Sequence, residues 1–235
     1  MVSNYDIDIK KLLESGAHFG HKTSRWHPKM SSYIYTKRDG SHIIDLTKTV
    51  PALQDALRFL EATVENNKQV LLVGTKRQAK PIINQLALDT GMPYVSERWL
   101  GGMLTNNLTI NKRINHLKDL EAKMLSGELV NKYNKLEVQR FTEEIEELNR
   151  IYGGIKNLNG RPGAIFIMDI AHDFNAVTEA NKLSIKSVGI TDTNANPDLI
   201  SFPIPANDDA TKSLVLIAEY VKQAILNGKT KLAKQ

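Results

Sequence analysis

The chain has 235 residues, with 31 Lys/Arg against 26 Asp/Glu, six His, no Cys and a net charge of +5. Its 41% hydrophobic and 24% charged content suits a folded domain rather than a disordered tail, and zero Cys excludes disulfides, thiolate metal sites, iron–sulfur clusters and Cys nucleophiles. Apolar runs such as Ala164–Met168 are too short to span a bilayer, and the opening Met1–Lys11 carries acids and no apolar core, so neither a membrane span nor a secretory leader is expected.

In chain order, Tyr33–Thr36 and His42–Leu46 flank Arg38-Asp39-Gly40 and predict a small hairpin, within an extension at about 15–46. Thr49 is a candidate cap for a helix with Pro51 in its first turn and Leu53, Ala56, Leu57, Leu60 and Val64 facing inward. Gln69–Gly74 reads as a buried strand, Arg77–Leu88 as the helix after it, and Tyr94–Ser96 as a short second strand. From Leu108 to Tyr152 the strand signal disappears. Val138, Phe141, Ile145, Leu148, Tyr152 and Ile155 follow a coiled-coil spacing, and Ile110, Ile114, Leu117, Leu120 and Met124 form a matching stripe. With Ser126-Gly127-Glu128 as the turn, these predict an antiparallel coiled-coil helical hairpin at 105–152, inserted into an α/β domain of residues 1–104 and 153–235. Glycine pairs 101–102 and 153–154 bracket it.

Ala164–Asp169 and Ser187–Thr191 are further strands, with a helix over Asn175–Leu183 between them and a last strand near Ile200–Phe202. Asp208 or Asp209 is a candidate cap for a final helix through Gln223. The strands are near-continuously apolar rather than alternating, the mark of a parallel sheet covered on both faces. Strand–helix alternation predicts a doubly wound α/β/α sandwich.

Charge is uneven along the chain. Residues 1–118 hold 17 Lys/Arg against 10 Asp/Glu, a net of +7, whereas 119–235 carry −2. Three stretches, Ser15–Arg38, Asn66–Leu88 and Arg98–Lys118, contain no acid. A polyanion-facing surface requires such depletion, because each carboxylate near a phosphate is repelled.

Four kinds of chemistry come up against these residues. Gly16–Thr23 imitates a phosphate loop but has three residues between its glycines, not four, and lacks a preceding strand. His18 and His21, with Asp192, are the candidate metal ligands, although zinc without Cys is uncommon, and no cofactor or metal is expected. Asp169 and Asp192 end two predicted strands and make a Mg²⁺-dependent phosphate-handling enzyme the alternative, yet no nucleophile or base accompanies them, and such residues also serve turns and caps. The fourth is RNA contact. Lys22, Arg25, Lys29, Lys37 and Arg38 interleave with Trp26 and His27, Lys76 and Arg77 follow a strand, and Arg98, Trp99, Asn106, Lys112 and Arg113 repeat the pattern. Cations neutralise phosphates and exposed rings stack on splayed bases.

Gly16-Ala17-His18-Phe19-Gly20-His21, Trp26-His27-Pro28-Lys29-Met30, Ile43-Ile44-Asp45-Leu46, Val73–Ala79, Arg98–Asn106, Asp192-Thr193-Asn194 and Pro203–Ala210 together resemble the bacterial small-subunit ribosomal protein S-two family, collinearly over nearly the whole chain. The resemblance implies a flavodoxin-like α/β/α domain with a protruding coiled coil. It implies a structural, non-catalytic role in the cytoplasmic ribosome, as a single copy, in contact with small-subunit rRNA and neighbouring proteins including S-one. Ala195 stands where many members carry Cys, Asn107 replaces a frequent aromatic, and Ile170–Ala176 departs from a commoner basic version.

Overall fold

The computed structural model describes residues 5–234; Met1–Asn4, the start of the stretch read as leaderless, lie outside them. Helix α1 (Ile9–Glu14) is followed by strands β1 (Phe19–Lys22), β2 (Ile34–Arg38) and β3 (Ser41–Ile44). β3 is the centre of an antiparallel three-stranded sheet, paired with β1 and β2. The predicted hairpin is β2–β3. Asp39 and Gly40 both take positive φ, 50° and 77°, as a two-residue turn matched to strand twist requires. β1 falls in the string that imitates a phosphate loop; Phe-Gly-His-Lys has no strand pattern of its own, and pairing to β3 sets it.

Helix α2 (Leu46–Glu65) begins one turn before the predicted start. Asp45, not Thr49, is its cap, with Oδ1 accepting from Thr47 N at 3.0 Å and from Thr47 Oγ1 at 2.6 Å. The Thr49 hydroxyl instead donates to the Pro205 carbonyl at 2.6 Å, and Pro51 lies inside the helix. Then come β4 (Val70–Val73), α3 (Lys80–Thr90), β5 (Tyr94–Val95), α4 (Asn107–Leu125), α5 (Glu128–Lys132), α6 (Lys135–Tyr152), β6 (Ala164–Ile167), α7 (Phe174–Lys182), β7 (Lys186–Thr191), β8 (Phe202–Pro205) and α8 (Thr211–Leu232). The last strand sits beyond the predicted Ile200–Phe202, because Pro197–Leu199 forms a 3-10 turn first. The last helix is not capped by Asp208 or Asp209. Asn207 Oδ1 accepts from Asp209 N and Ala210 N at 2.8 and 3.1 Å, and the helix starts at Thr211.

The five long-range strands form one parallel sheet in the order β5-β4-β6-β7-β8, the flavodoxin-like order. Val70, Leu72, Phe166, Val188 and Ile190 pack against α2, α3 and α8 on one face. Leu71, Val73, Ile165 and Ile167 pack against α4 and α7 on the other. Burial on both sides is why these strands read as continuous apolar runs.

The segment 105–152 holds two long helices with α5 between them, where only a turn is predicted. Gly127 takes the left-handed φ of 77° that ends the approach to α5. Ile110, Ile114 and Leu117 of α4 are buried in the second core with the sheet, so the root of the segment belongs to the body's packing. Farther along, His116 Nε2 lies 3.0 Å from Glu144, and Glu121 accepts from Asn149 and Lys156, both at 2.6 Å.

Candidate nucleic-acid interface

In a doubly wound sheet, ligands approach the carboxyl ends of the strands at the point where the strand order reverses, here between β4 and β6. The loops that leave these ends carry most of the candidate residues. Lys76 and Arg77 follow β4, Arg98 and Trp99 follow β5, and Asp192–Asn196 follow β7. β5 and β7 stand three strand spacings apart, about 14 Å. The two basic loops, after β4 and β5, therefore share one edge with the Asp192–Asn196 loop.

The N-terminal sheet is fastened to this edge through Thr193. Its Oγ1 accepts from His21 N at 2.9 Å and its carbonyl accepts from His27 N at 2.7 Å. Asn207 adds two more ties, N to the Ala17 carbonyl at 3.0 Å and Nδ2 to the Gly16 carbonyl at 3.1 Å. Gly20 permits this approach: a Cβ there would stand 2.6 Å from Thr193 Cγ2 and 2.8 Å from Oγ1. Gly20→Ala is expected to lift β1 from the edge and cost about 1–3 kcal/mol, as overpacking does, read from the urea midpoint. An unchanged midpoint would mean the contact yields freely.

The carboxylates of the edge are already engaged. Lys76 Nζ lies 2.9 Å from Asp169 Oδ2, 2.8 Å from Asp208 Oδ1 and 2.7 Å from Asp209 Oδ1. Burial alone would lower the Lys76 ammonium, but hydrogen bonds to Asp208, Asp209 and Asp169 outweigh it and hold it above the usual lysine range. Asp208 is pushed up to about 7, first by burial and then by the charges of Asp169 and Asp192. His21 is raised to about 9, chiefly by its hydrogen bond to Asp192, 3.1 Å from Nδ1. His21, Asp208 and Asp209 present ligand atoms within 4.8 Å of one another and, among the described residues, are the set that could hold a divalent cation. Of the predicted ligands, His18 is outside that set, its ring against Phe19 at 4.0 Å, and Asp192 is a buried partner of His21.

This geometry corrects the enzyme alternative. Asp169 accepts from Lys76, Ala171 N at 2.9 Å and His172 N at 2.8 Å, and Asp192 from His21 and Asp208 N. Neither faces an open cavity as a free carboxylate pair. Two predicted RNA contacts are also corrected. Lys76 is turned inward onto its acids, and Trp99 is buried, its indole N–H donating to Glu179 at 3.1 Å. The cause is the same for both: the partner acid lies far away in the chain.

The other candidates stand at the surface. Lys22, Arg25, Trp26, Lys29, Lys37, Arg38, Arg77, Arg98, Asn106, Lys112 and Arg113 are exposed, and His27 is half-buried. Some have structural partners too. His27 Nδ1 accepts from Lys29 N at 3.2 Å, capping the Pro28–Tyr33 turn, and Lys29 pairs with Asp198 at 2.8 Å. Asn106 caps α4 and Arg38 lies 3.6 Å from Asp39. Lys37 Nζ is 6.0 Å above the Trp26 ring, whose other neighbour is the buried His42 ring at 5.3 Å.

Sequence reasoning missed Glu179. This buried carboxylate accepts from Trp99 Nε1, from Gly102 N, Leu104 N and Thr105 N at 2.7, 3.0 and 3.0 Å, and from Thr105 Oγ1 at 3.1 Å. It fixes the loop that carries Arg98 into α4. A lone Glu on an otherwise apolar helix face was the one available signal.

Comparison with known proteins places nearly the whole chain in a family. The family model described as Ribosomal protein S2 matches residues 12–228. The chain is 48% identical over 225 residues to the small ribosomal subunit protein uS2 of Roseiflexus sp. (strain RS-1), covering 96% of this chain and 86% of that one. It is 46% identical over 228 residues to the protein of the same name from Acinetobacter baylyi, covering 97% and 91%.

Proposed function

Because the chain belongs to the ribosomal protein S2 family, structural and non-enzymatic constituents of the small ribosomal subunit, we propose that its carboxyl-edge face grips small-subunit rRNA. The observation that carries this reading is the combination of acid-free, exposed basic stretches at one edge with edge carboxylates that are paired inward, onto Lys76 and His21. Phosphates approaching Lys22, Arg25, Lys29, Arg77 and Arg98 meet cations, while the repelling acids are already paired. The sandwich supplies a rigid platform, and the helical segment 105–152 reaches a second RNA or protein surface.

Neighbouring small-subunit proteins, S-one among them, complete the setting, in the cytoplasm and with one copy of this chain per particle. Phe19 and Tyr35 are 52% and 75% exposed beside a hollow of about 620 Å³ that Leu13 and Ile43 also line, apolar surface that a protein neighbour would cover.

The protein is expected to co-sediment with small-subunit particles at moderate salt and to leave them at high salt. Arg25→Ala should weaken rRNA binding and flatten the log–log salt slope by about one unit. An unchanged slope would remove Arg25 from the contact set, and salt-independent association would defeat the phosphate reading altogether.

A further inference from the structure

A cavity of about 380 Å³ opens between the turn that holds His27, the start of α7 and the loop after β7. It lies within the about 300–1,000 Å³ range of small-molecule pockets. Its lining is divided by chemistry. Ile170 and Val177 make a buried apolar floor, and Phe174 shows half of its ring on one side. Asn194 and Asn196 bring amides from the other side, and His27 closes the third. None of the lining residues is an acid.

We propose that this cavity receives one unstacked nucleobase of the bound RNA, with Phe174 and His27 as stacking surfaces and the Asn194 and Asn196 amides reading the base edge. The inference rests on the rRNA reading above and extends it to a defined subsite. A planar, polar-edged heterocycle matches a pocket with ring surfaces on its sides and amides on one wall, where an aliphatic side chain would leave the amides without partners. The Asn194 amide nitrogen lies 3.3 Å from His21 Nε2, while its Oδ1 is buried with no hydrogen-bond partner among the described residues. Asn196 Oδ1 accepts from Asp198 N at 3.1 Å, which leaves its amide N–H groups to donate. Arg25 and Lys29 lie two residues on either side of His27, so a base seated here keeps its phosphates beside cations. The His27 N–H donates to the Thr193 carbonyl at 2.7 Å and ties the two walls together, and the exposed Lys29–Asp198 pair spans them at the rim.

The test is binding of Phe174→Ala, Phe174→Tyr and Arg25→Ala to small-subunit rRNA over a salt series. Phe174 is exposed, so its truncation leaves the fold intact, which far-UV circular dichroism verifies. Phe174→Ala should weaken binding about tenfold at every salt concentration with the slope unchanged, and Phe174→Tyr should restore it. In the free protein, millimolar AMP or UMP should shift the methyl resonances of Ile170 and Val177. If Arg25→Ala weakens binding and Phe174→Ala does not, the subsite is overturned and the rRNA reading stands. If neither variant changes binding, the subsite is overturned and Arg25 leaves the contact set; the rRNA reading itself fails only if binding is also independent of salt. If Phe174→Ala leaves naked rRNA binding intact but impairs incorporation into particles, the occupant is a protein side chain and the nucleobase assignment is wrong.

Discussion

Glu179→Ala should destabilise the protein by about 3–5 kcal/mol, one of the two largest single-residue effects expected outside the apolar core. The carboxylate collects the Trp99 indole N–H, three backbone N–H groups and a hydroxyl, at distances from 2.7 to 3.1 Å. Removing it leaves these donors without an acceptor, several of them out of reach of water. Each buried orphan costs about 1–3 kcal/mol, and partial opening of the loop keeps the total below their sum. Burial raises the Glu179 carboxyl, but the hydrogen bonds from Thr105, Trp99, Gly102 and Leu104 outweigh it and hold it below the usual range. The clamp's stability is therefore fully present above the unfolded-state value of about 4.3 and is lost as pH falls through the depressed folded value. Urea titration with Trp fluorescence at pH 7 and at pH 3.5 measures both effects. A loss below about 1 kcal/mol at pH 7 would show that packing, not the clamp, holds the loop.

Lys76→Met is the second substitution with a large expected cost, about 3–5 kcal/mol. The ammonium is mostly buried and is the cation shared by Asp169 and Asp208, which are 4% and 1% exposed, and by the exposed Asp209. Removing one partner of a buried ionic group leaves uncompensated charge, which is far worse than replacing the group entire. Lys76→Met combined with Asp208→Asn should therefore be more stable than Lys76→Met alone, a coupling that a double-mutant cycle reads directly. Simple additivity of the two losses would mean that water, not Lys76, compensates these acids.

Much of the fold was legible because it is written locally. The apolar runs at β4, β6 and β7 announce a doubly covered parallel sheet, and Asp39-Gly40 announces a tight turn. What was not legible is set by contacts between distant parts of the chain. β1 exists because β3 lies beside it. The cap of α2 moved to Asp45 because the Pro205 carbonyl claims the Thr49 hydroxyl.

The same division runs through the candidate site. Lys76 lies in an acid-free stretch, and local charge counting makes it a phosphate ligand. Its acids arrive from positions 169, 208 and 209, where no window around residue 76 can find them. Trp99 likewise meets Glu179 from eighty positions away. Arg25, Arg77 and Arg98, by contrast, remain exposed with no ion pair among the described residues, as their neighbourhoods imply.

The ends of the parallel sheet have a bearing on the protein before it joins a particle. β8 carries Pro203 and Pro205 on one outer strand, where neither can donate a main-chain hydrogen bond, and β5 at the opposite rim is two residues long. Neither rim offers a template on which a second chain could lengthen the sheet. A copy not yet built into a particle is thus protected against strand-by-strand aggregation.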